Sequence, residues 1–140
     1  MIDPLEAVFV ALKADAGLRA LVGDRIAGKH HYATAWSRTQ AGLVVAPSGG
    51  TPNLYLPLQT LRLRCEAYAP SQPEAMAVWR ALIAFSRAKE RFSVPLASGQ
   101  KAFIYAFLQD SGPSFLWDDE VNMDVVAGFF QCTISEQAIT

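Results

Sequence analysis

The chain has 140 residues, 51% of them hydrophobic and 18% charged, with a net charge of −1. That length fits one domain, 1–140, which buries roughly 68–70% of its unfolded surface and needs neither disulfide nor metal to hold it. The balanced charge and a pI of about 6.1 exclude a global basic field that would draw the chain to nucleic acid or anionic membrane. Charge below the ~25% of an ordinary domain, with surplus apolar residues, points to surface that meets another chain.

Asp3 before Pro4 predicts a helix start, a side-chain acceptor followed by a residue whose φ is already helical. Leu5, Val8, Phe9 and Leu12 then recur at helical spacing. A second short helix is expected from Asp15 to Val22, stopped by Gly23, so the two form an N-terminal hairpin that leaves through Asp24-Arg25-Ile26. Residues 27–40, with His30, His31, Tyr32 and Trp36, have no period and read as a surface loop. Leu43 to Ala46 is a short strand ended by Pro47, and Ser48 to Asn53 is turn chemistry.

Leu61, Leu63, Cys65 and Ala67 alternate with Arg62, Arg64, Glu66 and Tyr68, the period-two pattern of a strand with one buried face. Ser71 and Glu74 have capping-box spacing ahead of a helix to about Lys89, with Ala75, Met76, Trp79, Leu82 and Ile83 on one face. Ala102 to Asp110 is apolar on both faces, as for a central strand covered on each side. Val121 to Ile134 changes phase near Val125-Val126, which predicts a β-bulge helped by Gly128. Between these strands Ser111 to Glu120 reads as a loop. The expected fold is α+β: an antiparallel or mixed sheet of about four strands, with the helical hairpin and one crossover helix packed on it.

None of the residue patterns that carry chemistry is present in convincing form. Cys65 and Cys132 lie in separate strand-like runs, outside any C-x-x-C, and read as buried thiols. His30-His31 lacks a ligand at i+3 or i+4, and Asp118, Asp119, Glu120 and Asp124 lack the glycine and spacing of a calcium loop. There is no G-x-S-x-G elbow, phosphate-binding loop or dinucleotide fingerprint. We therefore expect no enzyme activity, no cofactor and no metal. Met1-Ile2-Asp3-Pro4 is not the start of a signal peptide, and no run reaches ~18 apolar residues, so a chain made in the cytoplasm and not inserted in a membrane is expected.

Several pieces together resemble the tail-terminator or tail-completion proteins of long-tailed, lambda-like bacteriophages. They are the Asp3-Pro4-Leu5 helix with Ala11 to Asp15, the run Leu18-Arg19-Ala20-Leu21-Val22-Gly23-Asp24-Arg25-Ile26, the strand Leu61 to Tyr68, the Ser71–Glu74 helix start, and the closing Phe129 to Ile134 strand. The stretches His30–Gln40 and Phe115–Glu120 lie outside the match. The resemblance implies a structural virion protein in a six-fold homo-oligomeric ring on the head-proximal end of the tail tube. Its partners would be the tail tube protein and a neck or head-completion protein, with DNA only as cargo through the ring. Assembly would take place in the host cytoplasm.

Contact candidates follow from the residues themselves. Phe115, Leu116 and Trp117, beside Gly112-Pro113 and three acids, either anchor a partner or fold back over the domain's own core. The loop Ala46 to Pro57, carrying Leu54, Tyr55 and Leu56, is long enough to reach a neighbour. Arg62 and Arg64, with Tyr68 beyond, either meet phosphate and bases or salt-bridge a neighbouring strand or subunit. The competing readings are thus another head–tail joining component and a small nucleic-acid-binding module using Arg62 and Arg64.

Overall fold

The computed structural model describes residues 4–28, 40–52, 58–88, 91–97, 99–119 and 122–137, with the backbone alone for 50–52 and 136–137. Helix α1 (Pro4–Ala14) buries Ala7, Val8, Ala11 and Leu12. Asp15 then caps α2 (Ala16–Val22), its carboxylate accepting from Leu18 N–H at 3.0 Å. Gly23, at φ 58°, closes α2 by donating to the Arg19 carbonyl at 2.9 Å, a backbone position that favours glycine. The two helices touch, but α2 packs against α3 (Gln72–Ala88), while α1 packs against two short strands, β1 (Ile26–Ala27) and β4 (Phe92–Pro95).

The remaining strands are β2 (Gly42–Pro52), β3 (Leu58–Ala69), β5 (Lys101–Asp118) and β6 (Met123–Gln137). They join into one curled six-stranded sheet in the order β1-β2-β3-β6-β5-β4. Only β1–β2 is parallel; the other pairings are antiparallel. Two strands beyond the four expected are β1 and β4, with two and four residues, too short to show a period. Helix α3 carries the chain from β3, inside the sheet, to β4 at its edge.

The main core lies between the helices and one face of the sheet. Trp79 of α3 meets Phe130 of β6 at 5.4 Å between ring centroids, and Phe130 stacks on Phe107 of β5 at 5.0 Å. Phe85 meets Phe107 edge-on at 5.4 Å. A second cluster of Val44, Tyr68, Met123 and Val125 is buried as well. Val44, Tyr68 and Val125 each stand beside a main-core residue and Met123 is two residues from Val125 on the same strand, so the cluster occupies the opposite face of the sheet.

That arrangement corrects several sequence expectations. Val125 and Val126 are both buried because they serve opposite faces, not because β6 is bulged. The β3–β6 register runs unbroken from Leu58↔Ser135 to Ala69↔Asp124. The irregularities sit on β5 instead, between Ile104 and Ala106, Gln109 and Ser111, and Ser111 and Ser114. Gly128 has a packing role: a Cβ there would stand 2.6 Å from the Trp79 ring and 2.5 Å from the Ser111 carbonyl oxygen. Strand β2 continues past Pro47, because an irregularity between Pro47 and Gly50, with Gly49 at φ 97°, absorbs the turn-like residues. Proline is tolerated there since β1 flanks only Leu43 and Val44, leaving the rest of β2 at the sheet edge. Helix α3 opens with the Ser71 carbonyl accepting the backbone bond of Ala75 N–H at 3.0 Å, the position the Ser71–Glu74 spacing predicts for its start.

Candidate protein-contact surface

Strand β4 covers β5 only at Lys101–Ile104. From Tyr105 to Asp118 the outer side of β5 carries no strand among the described residues. Phe115, Leu116 and Trp117 lie in this stretch, not in a loop as expected. They pair with Val126, Val125 and Asp124 of β6, and the hairpin turn comes only after Asp118. Residues paired across antiparallel strands share a face, so Phe115 and Trp117 stand on the helix side and Leu116 on the other. All three are just over half exposed, at 55%, 55% and 52%. The helix layer does not reach them, and Trp117 does not cover the domain's own core.

Tyr105 and Leu108, on the same strand, are also exposed, which ends the expectation that β5 is central and covered on each side. Together they make an apolar edge along which Asp110 and Asp118 are the only charges from Tyr105 to Asp118. Beside it, a groove of about 710 Å³ runs between α3 and β5, lined by Met76, Trp79, Ile83 and Pro113 with Arg80 and Arg87 on its wall. Monomers seldom leave this much contiguous apolar surface in water. Neither the groove nor the continuation of β5 was legible beforehand. The i, i+4, i+7, i+11 spacing of Met76, Arg80, Ile83 and Arg87 was the available signal for the groove wall.

Arg62 and Arg64 are not free cations. The Arg62 guanidinium donates to Asp110 at 3.1 Å and lies 3.9 Å over the Phe129 ring. Arg64 pairs with Glu66 at 3.0 Å. Each positive charge is matched by a local acid, so this face offers little field to a phosphate backbone. The Tyr68 hydroxyl stands between two carboxylate acceptors, Glu66 at 3.4 Å and Asp118 at 3.3 Å, to either of which it can donate its one proton. Burial, reinforced by the Glu66 and Asp118 carboxylates, pushes its phenol up from the ordinary value. Leu54, Tyr55 and Leu56, like His30, His31 and Trp36, lie outside the described residues.

Cys65 and Cys132 are free and buried. Cys65 pairs across the sheet with Gly128, and Cys132 with Leu61, so in β3 register they stand four residues (65 − 61) apart, about 13 Å at ~3.3 Å per residue. Burial raises both thiols, Cys132 to about 12 and Cys65 further still. Neither has the thiolate character of a nucleophile. Among the described residues no three His, Cys, Asp or Glu side chains gather as metal ligands would, and no helix is long and apolar enough to cross a membrane.

No protein-family model matches the chain, and no curated protein matches it at a significant level. Among solved structures it is similar to a chain from the virion of a native gene transfer agent particle, with a TM-score of 0.62 and 17% identity. The match covers 94% of this chain and 92% of that one. At that identity the likeness establishes a shared fold across nearly the full length of both chains.

Proposed function

We propose that this chain is a non-catalytic structural component of a virion, and that within the particle it forms a ring, hexameric by the resemblance, closing the head-proximal end of a tail tube. The ring would stop tube growth and present the joint to the neck or head-completion protein, with DNA passing through it. The observation that carries the reading is the near-complete structural match to a chain of a gene transfer agent virion. It agrees in kind with the sequence resemblance to tail terminators, which rests on different evidence.

The surface chemistry supports assembly as the mode of action. The half-exposed Phe115, Leu116 and Trp117 on an unpaired edge strand are anchors of the type that protein contacts bury. Cys65 and Cys132 are buried with their thiols raised, and Arg62 and Arg64 pair with Asp110 and Glu66, which is in keeping with a contact role for this face.

The test is to add the purified protein to growing tubes of the tail-tube protein from the same genome and record tube lengths. A length distribution that stops advancing at substoichiometric protein supports the reading. Tubes that lengthen as before contradict it. Salt-sensitive DNA binding that disappears in Arg62→Ala/Arg64→Ala would favour the nucleic-acid module instead.

A further inference from the structure

The outer edge of β5 and the groove beside it form one strip whose ends differ in charge. Trp79 packs over Gly128 and Ser111, and six residues later Phe85 meets Phe107. Helix α3 therefore runs antiparallel to β5, so Arg87 lies beyond the Phe107 level at one end of the strip. The Met76 wall and Pro113 come next, then Phe115 and Trp117, with Asp119 at the far end. Arg87 and Asp119 are both exposed, and neither makes an ion pair among the described residues. They cannot meet within one chain, because the strand between the Phe107 level and Asp119, bulged at two places and measured along its partner β6, spans roughly 30–35 Å at ~3.3 Å per residue.

The strip is basic toward one end, where Arg80 and Arg87 share the groove wall, apolar at Phe115–Trp117 and acidic at the other end, and such a strip is complementary to itself when turned through a two-fold axis. We infer that off the tube two copies of this chain pair through their β5 edges, antiparallel, with Arg87 of each facing Asp119 of the other and the Phe115–Trp117 segments buried between them.

The area fits. Tyr105, Leu108, Phe115, Leu116 and Trp117 are each about half exposed, which leaves roughly 100 Å² per large side chain. Two copies would bury at most on the order of 1,000 Å² from these residues, near the threshold for a specific interface, with Leu108 and Leu116 contributing from the opposite face of the sheet. An open edge strand this long, without lysine along it, also needs cover to avoid uncontrolled pairing. Pro113 removes an amide from the middle of the edge, so the contact rests on side chains more than on an unbroken ladder.

This goes beyond the ring reading and does not depend on it. A two-fold contact closes at two chains and cannot propagate around a ring. On the ring reading, such a dimer would be a stored form whose edges separate before the subunits rearrange on a tube end; the pairing itself does not require that reading.

The experiment uses the full chain, with circular dichroism as the check on folding. Solution mass by sedimentation should give a dimer that becomes monomeric, at the same concentration, in Arg87→Glu and in Asp119→Arg. The double variant Arg87→Glu/Asp119→Arg should recover the dimer. In addition, Arg87→Cys mixed with Asp119→Cys under mild oxidation should give a covalent dimer that neither yields alone; the native thiols are buried and do not interfere. A wild-type monomer at tens of micromolar overturns the proposal, as does a dimer that survives both charge reversals or fails to cross-link in the mixture. Tube capping is unaffected by those outcomes, so the two readings fail separately.

Discussion

Gly128 shows how a single residue fixes the packing of this protein. With no side chain on β6 at that point, the Trp79 ring drops onto the sheet and reaches Phe130 at 5.4 Å. We predict that Gly128→Ala costs about 1–3 kcal/mol by overpacking, and that Trp79→Ala costs about 3–5 kcal/mol by leaving a cavity. Both should be read from urea midpoints. The buried thiols and phenol make a separate prediction about alkaline pH. Cys132 is raised from 9.0 to about 12, and Cys65 and Tyr68 are raised further. Above about pH 9 the unfolded chain gives up these protons while the folded chain retains them, so stability should fall as pH rises. It should be independent of these groups below pH 9. The same shifts predict that neither cysteine reacts with thiol reagents at pH 8 until the protein is denatured.

Among the elements, β3 was legible from Leu61 to Ala67 because one face is buried and the other carries Arg62, Arg64 and Glu66, whereas its start at Leu58 and the burial of Tyr68 on the opposite face were not. α2 was legible through its apolar positions and its stop at Gly23, although Asp15, read as its first residue, is its N-cap. β5 was half legible. Ser111-Gly112-Pro113 has the composition of a turn, yet the chain takes it up in register shifts and continues as strand to Asp118. Whether such residues end a strand or bulge it depends on the partner strand, here a β6 held straight by β3, and that is a long-range fact. The contact candidates Phe115, Leu116 and Trp117 could be named from their chemistry, but their setting on an unpaired edge could not. Because Trp117 is half exposed and outside both clusters, Trp117→Ala should leave thermal stability within about 0.5 kcal/mol of wild type. It should weaken self-association measured by sedimentation. A large loss of stability would place the side chain in the core instead.

At the scale of the whole molecule, the sheet has two unlike borders. Beyond Val44 β2 is an edge interrupted by Pro47 and Pro52, residues that discourage strand pairing. Beyond Ile104 β5 is a longer and more apolar edge that invites contact. A subunit with one guarded and one inviting border is suited to a defined assembly in place of an open-ended one, which accords with the proposed role. That property emerges from which strands end up outermost, and local sequence patterns carry no record of it. The central claim, a ring that closes a tube, is tested most directly by imaging tube ends by electron microscopy after adding the purified protein. The account predicts a closed ring, one subunit thick, at one end of each tube and no ring elsewhere along it. Bare ends on tubes of undiminished length, with the protein left in solution, would contradict it.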